Sequence, residues 1–263
     1  MVNFIRKRVL DGEIMVGIGC VLGSSLTAEM AGKAGFDWLW LDMEHGSFDY
    51  MALLYQIQAC SATAAAPIVR VRWNEPPLFK RVLDLGAAGV VVPWVNTAEE
   101  AELAARSVRY PPEGIRGVAR SNRANGFGAE FDGYFSIAND SLLTVVQIET
   151  EQAVANASAI AAAKGVDVLF VGPMDLSVSM GIPNKPDDPR FVRALEQVVA
   201  ACRAAGKAPG ILLPREELLD VYIRMGFTFI VAGSDAGFVM SGLKKLRERA
   251  APLKQAPSSR AKR

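Results

Sequence analysis

The sequence predicts a single α/β domain folded as a closed (β/α)8 barrel, a TIM barrel, with an added N-terminal helix and an extended C-terminal helix. Three observations carry this. Short runs rich in Val, Ile and Leu recur along the chain, apolar on both faces, as parallel strands covered on either side must be. Each run alternates with a segment of helical periodicity, and eight such pairs over about 250 residues is the count of the closed barrel. No Gly-x-Gly-x-x-Gly follows the first run, which argues against an open doubly wound sheet.

The elements follow in order. Met1–Leu10 mixes charge with short apolar groups and reads as an amphipathic helix, without the apolar core of a signal peptide. The first strand is Ile14–Cys20, and its helix, Leu26–Lys33, is closed by Gly35. Asp37–Leu41 is the second strand, followed by helix Tyr50–Ala62. Ile68–Arg72 is the third, and its helix Pro76–Leu85 stops at Gly86. Gly89–Val92 is the fourth, and Thr97 caps the helix Ala98–Val108. The stretch Arg109–Asp140 is rich in Gly and Arg, with little apolar periodicity, and precedes strand five, Leu143–Glu149. Helix Glu151–Ala163 ends at Gly165 before strand six, Val166–Val171. A proline-rich connection, Gly172–Asp187, leads to helix Arg190–Ala205, opened by Asp188 and Pro189 and closed by Gly206. Pro209–Leu213, helix Glu216–Met225, Phe227–Val231 and a last helix, Asp235–Glu248 behind Ser234, complete the set. The barrel domain is therefore 1–252, and 253–263 reads as a disordered basic tail. Both long connections read as leaving the carboxyl ends of strands, where such barrels carry their chemistry. Arg109, Arg116, Arg120 and Arg123 would then help close the mouth and attract anions.

Composition excludes several classes. A net charge of +1 gives no footprint for nucleic acid. No apolar run approaches the ~20 residues a membrane span needs. Three separated cysteines offer neither a disulfide framework nor a Cys-x-x-Cys site, which fits a reducing cytoplasm.

Polar residues collect where strands end. His45, the only histidine, follows Asp42 by three positions, an acid beside a base that titrates near neutral pH. Arg70 and Arg72 share one strand face; Gln147 and Glu149 share another, and Asp175 lies just past strand six. One histidine and no paired cysteines argue against zinc. Glu149 and Asp175 offer two carboxylates, a set suited to Mg2+ or Mn2+ with positions left for water and substrate. Arg70 supplies a permanent planar cation for a carboxylate or a developing enolate oxygen. No lysine is read inside the barrel, so a Schiff base is excluded. The set matches chemistry at the carbon beside the carbonyl of a small 2-oxo acid.

The motifs Leu41-Asp42-Met43-Glu44-His45-Gly46, Val69-Arg70-Val71, Tyr110-Pro-Pro-Glu-Gly-Ile-Arg-Gly117, Gln147-Ile148-Glu149-Thr150, Gly172-Pro-Met-Asp-Leu-Ser177 and Lys207-Ala-Pro-Gly-Ile211, taken in order, resemble the HpcH/HpaI aldolase family. The resemblance spans roughly residues 4–250. It implies a class II pyruvate aldolase that reversibly cleaves a 4-hydroxy-2-oxo acid, of the 4-hydroxy-2-oxoheptanedioate or 2-keto-3-deoxy sugar acid type, through a metal-bound pyruvate enolate. It implies Glu149 and Asp175 as ligands of Mg2+, Mn2+ or Co2+, His45 oriented by Asp42 as acid/base, and Arg70 on the enolate oxygen. It implies Gln147, Met174, Asp175 and Leu212 as the substrate-binding set. Met174 stands where such proteins are expected to carry a smaller residue, which would narrow the pocket near pyruvate. The resemblance also implies a hexamer, a trimer of dimers that exchanges its last helix. The alternatives are a CoA-thioester lyase of the malyl-CoA or citrate lyase type and a non-catalytic 2-oxo acid binding protein.

Overall fold

The computed structural model describes residues 5–255, with the side chains of 252–255 left aside. Eight parallel strands close a barrel in sequence order. They are β1 (Met15–Cys20), β2 (Trp38–Asp42), β3 (Ala66–Arg70), β4 (Gly89–Val92), β5 (Leu143–Ile148), β6 (Val168–Val171), β7 (Ala208–Leu212) and β8 (Phe229–Ser234). The helices are α1 (Ile5–Leu10), α2 (Ser25–Lys33), α3 (Tyr50–Cys60), α4 (Pro76–Asp84), α5 (Ala98–Val108), α6 (Phe131–Ser141), α7 (Glu151–Ala155), α8 (Ala157–Ala162), α9 (Pro173–Ser179), α10 (Pro189–Ala205), α11 (Leu219–Met225) and α12 (Asp235–Gln255).

Successive strand side chains alternate between two cores. Leu39 and Leu41 of β2 face the helices, whereas Trp38 and Trp40 fill the barrel interior. Trp38 stacks on Phe229, ring centroids 4.0 Å apart, and Trp40 meets Phe170 at 4.9 Å. Two glycines make room for these rings. A Cβ on Gly17 would lie 2.4 Å from the Trp38 ring, and one on Gly210 would lie 2.5 Å from Phe170. Helix α1 closes the amino end: Ile5 and Val9 join the inner core, and Arg6 Nε donates to both oxygens of Asp167 at 3.0 and 3.1 Å.

Strand three begins earlier than predicted, because Pro67 is tolerated inside it. Its carbonyl accepts the Ala88 N–H at 2.8 Å, and a proline costs a ladder only where a donor is required. Arg70 therefore ends the strand, and Arg72 lies exposed beyond it instead of sharing its face. The predicted helix 151–163 breaks at Asn156, whose side-chain amide turns to donate to the Asn96 carbonyl at 2.7 Å. Helix α12 runs to Gln255; the rest of the expected basic tail, like residues 1–4 of the N-terminal helix, lies outside the described residues.

The stretch after α5 corrects the expectation made for it. It contains a short 3-10 segment, Arg123–Gly128, and α6, and it leads from a helix into β5. Such a connection lies at the amino ends of the strands. Arg123 donates to the Leu85 carbonyl at 2.8 Å and to Ser61 Oγ at 3.1 Å, at the ends of α4 and α3. Arg116 pairs with Asp84 at 2.8 Å in the same region. These arginines stand at the opposite end from the mouth of their own barrel. No described helix is long and apolar enough to cross a membrane.

Candidate active site

The inward positions of the strands change character at the carboxyl ends. Below lie Trp40 and Phe170; above them the same faces carry Asp42 on β2, Arg70 on β3 and Gln147 on β5. All three are buried. The Arg70 guanidinium carbon sits 5.0 Å from the Trp40 ring centroid. It is clamped by Asp42, with Nε on Oδ1 at 2.9 Å and Nη2 on Oδ2 at 2.6 Å, the paired geometry arginine favours with a carboxylate. Nη1 reaches Gln147 Oε1 at 3.4 Å and Glu44 Oε2 at 2.9 Å. The second contact is an ion pair without hydrogen-bond alignment, and Glu44 Oε2 has no hydrogen-bond partner among the described residues.

Glu149, the residue after β5, is held at both oxygens. Gln147 Nε2 donates to Oε1 at 2.6 Å, and the Trp94 amide donates to Oε2 at 3.1 Å. Trp94 delivers that amide from a left-handed backbone, φ 55°, a conformation that costs a bulky residue on the order of 1–2 kcal/mol. Gly172 completes the setting: a Cβ there would fall 2.6 Å from Glu149 Oε1. Burial pushes the Glu149 carboxyl up to about 7; Asp175 and Glu44 add to the rise, and the Trp94 amide and Arg70 oppose it. Glu44 is raised too, first by burial, with Arg70 and His45 opposing. Asp175 lies in the first turn of α9, partly open to solvent. Met174 beside it is 55% exposed and Leu212 at the end of β7 is 37% exposed, so both rim the mouth.

Asp42 departs from its expected role. Its Oδ1 accepts the amides of Glu44 at 3.0 Å and His45 at 3.2 Å, and its remaining capacity goes to Arg70. It fixes the turn that carries His45 and leaves the imidazole alone; among the described residues no side chain is hydrogen-bonded to that exposed ring. Asp42, Arg70, Gln147 and Glu149 thus form one connected set, with Glu44 against Arg70. His45, Met174, Asp175 and Leu212 stand around it on the same end of the barrel.

No group of three or more His, Cys, Asp or Glu side chains with metal-holding geometry occurs among the described residues. Two carboxylates do fit a divalent cation that keeps water or substrate at its other positions. Glu44 and Glu149 lie near a guanidinium already neutralised by Asp42, Asp175 adds its charge beside them, and Glu44 Oε2 is buried without a donor. Glu44, Trp94 and Gly172 carried no role in the sequence reading. The first was visible beside His45, whereas a left-handed tryptophan leaves no mark in composition or spacing.

The HpcH/HpaI aldolase/citrate lyase family model matches residues 21–241. The 5-keto-4-deoxy-D-glucarate aldolase of Escherichia coli (strain K12) is 44% identical over 246 residues, 94% of this chain and 96% of that one. A solved HpcH/HpaI aldolase/citrate lyase family protein from Burkholderia cenocepacia J2315 superposes with TM-score 0.90 at 35% identity, covering 95% of this chain and 99% of its own. The citrate synthase SbnG superposes with TM-score 0.85 at 26% identity, over 96% and 99%. The chain belongs to the HpcH/HpaI aldolase/citrate lyase family and is a carbon–carbon lyase.

Proposed function

We propose that the protein is a class II aldolase that reversibly cleaves a 4-hydroxy-2-oxo acid to pyruvate and an aldehyde. A dicarboxylic 2-keto-3-deoxy sugar acid of the 5-keto-4-deoxy-D-glucarate type is the preferred substrate, a choice supported by the relatives 44% identical to it. The observation that carries the reading is Glu149, braced at both oxygens beside Asp175 and next to the clamped Arg70.

Glu149 and Asp175 hold Mg2+, Mn2+ or Co2+. When bound, such a cation supplies Lewis acidity that draws charge from the 2-oxo group of the substrate. Arg70 faces the carbonyl oxygen, where negative charge grows as the C3–C4 bond breaks, and its clamp keeps it in place without reorganisation. Gln147 and the Met174–Asp175 turn position the oxo acid. His45 takes the proton of the C4 hydroxyl as that carbon becomes the aldehyde, and returns it in the reverse direction. Its exposed ring suits a group that must exchange protons with solvent.

Small molecules are the partners in this reading, and the three buried free cysteines suit a reducing cytoplasm. Assembly of copies as a hexamer is supported by α12, which leaves Phe238, Met240, Leu243 and Leu246 more than half exposed. A CoA-thioester lyase is the second reading, favoured by the citrate lyase branch of the family name.

Pyruvate, a panel of aldehydes, malyl-CoA and each metal in turn separate these readings. Chelation is expected to abolish aldol cleavage, Mg2+, Mn2+ or Co2+ to restore it, and Glu149→Ala or Asp175→Ala to prevent that rescue. Acetyl-CoA released from malyl-CoA, with no aldol product, would select the thioester lyase. A pyruvyl-lysine trapped by borohydride and seen by mass spectrometry would overturn the metal-dependent route.

A further inference from the structure

The group that braces Glu149 from the β4 side is itself under strain. Trp94 donates its amide to Glu149 Oε2 at 3.1 Å from a left-handed backbone, φ 55°. A bulky residue stays in that region only where its surroundings hold it there. The next two residues supply the hold. The Val95 N–H donates to the Gln147 carbonyl at 3.3 Å, which carries the pairing of β4 with β5 past the end of β4. Asn96 Nδ2 turns back and donates to the Trp94 carbonyl at 3.0 Å. Its Oδ1 accepts the hydroxyl of Thr150, the residue after Glu149. Thr150 Oγ1 accepts the Ala153 amide at 3.0 Å as the cap of α7, which leaves its proton for Asn96.

Asn96 therefore bridges the two segments that meet at the carboxylate. One end of its side-chain amide is on the residue whose N–H braces Glu149; the other is on the residue that follows Glu149 in the chain. The bridge is anchored at its own backbone. The Asn96 N–H donates to Glu100 Oε2 at 2.6 Å, and Glu100 belongs to the capping box of α5. The Asn96 carbonyl accepts Asn156 Nδ2 at 2.7 Å. Asn156 is the residue at which the helix after β5 breaks into α7 and α8, so that break serves the same bridge.

We propose that Asn96 is a positioning residue for the cation site: through Trp94 and Thr150 it holds the Glu149 carboxylate in the orientation that a divalent ion shared with Asp175 requires. The inference rests on the proposed cation ligands and deepens that reading. Asn96 itself touches neither ion nor substrate. Groups behind a ligating carboxylate set its orientation, and the loss of one typically costs about 10- to 100-fold in metal affinity.

The test is the dissociation constant for Mn2+, read from the electron paramagnetic resonance signal of the free ion, on the metal-free full chain without substrate. Asn96→Ala is expected to raise the constant about tenfold or more. Asn74→Ala is the matched control: it removes one side-chain bond of 2.9 Å, to the Glu100 carbonyl, and is expected to keep the parent constant. Thr150→Val cuts the bridge from its other end and is expected to act like Asn96→Ala, whereas Thr150→Ser keeps the hydroxyl and the parent constant. The Thr150 pair decides the matter if Asn96→Ala does not fold. A parent constant in Asn96→Ala, equal rises in Asn96→Ala and Asn74→Ala, or equal rises in the two Thr150 variants overturns the positioning role. Mn2+ bound as tightly by Glu149→Ala as by the parent overturns the cation reading instead, and the role of Asn96 with it.

Discussion

Glu149 owes its position to three neighbours: the Gln147 side chain, the Trp94 amide and the missing Cβ of Gly172. Gly172→Ala is the sharpest probe of that arrangement. The new methyl would press on Oε1 and move the carboxylate by a fraction of an ångström or more. Misplacement on this scale costs about 10²-fold in rate. Activity is expected to fall by that factor while circular dichroism and thermal midpoint stay near the parent values; full activity would mean that Glu149 can shift freely. His45→Ala is expected to lower turnover about 10²- to 10⁴-fold, the worth of a general acid–base group. Pyruvate binding by calorimetry should persist, because no described contact of Arg70 or Glu149 runs through the imidazole. Much of this site is legible in the sequence. Arg70, Gln147 and Glu149 were singled out by alternation along strands, and Asp42 and Asp175 by their places just past strands two and six. What is not legible is which acid takes which base. Asp42 lies three residues from His45 and 28 from Arg70, yet it is the arginine, brought alongside by the pairing of β2 with β3, that takes its side chain.

Among the elements, α1 is short but closes the base of the barrel. Ile5 and Val9 enter the inner core with Met15 and Phe229, and Arg6 anchors the helix to Asp167. Val9→Asp places a carboxylate among those side chains. Burying an unpaired polar group costs roughly 2–7 kcal/mol, so the urea midpoint is expected to fall sharply. An unchanged midpoint would mean that α1 detaches at little cost. The order of strands and helices was readable because parallel, doubly covered strands are continuous apolar runs. The face occupied by residues 109–142 was readable too, and was missed. Length and charge suggested a lid, whereas a segment that follows a helix and precedes a strand belongs to the amino face. Element order decides the end of the barrel; composition does not.

For the whole molecule, the exposed apolar side chains of α12 are the feature a monomer explains least. Phe238, Met240, Leu243 and Leu246 are 51–67% exposed on one helix. Apolar exposure of this kind marks interaction surfaces, and the assembly proposed above would cover it. Sedimentation is expected to give a species larger than 28.3 kDa. Leu243→Glu with Leu246→Glu is expected to shift it toward the monomer. A parent protein that sediments as a monomer at micromolar concentration would remove the assembly from the reading.

The aromatic floor beneath Arg70 bears on hydrogen exchange in the proposed reaction. Trp38, Trp40 and Phe170 are 0–4% exposed, Trp40 lies against both other rings, and α1 shuts the far end, so in the proposed reaction solvent hydrogen would reach the reacting carbon from the mouth side alone. Cleavage of a substrate carrying tritium at one C3 position, run in deuterium oxide, is therefore expected to give pyruvate whose methyl group has a single handedness. A racemic methyl would show that hydrogen arrives from both faces of the planar carbon.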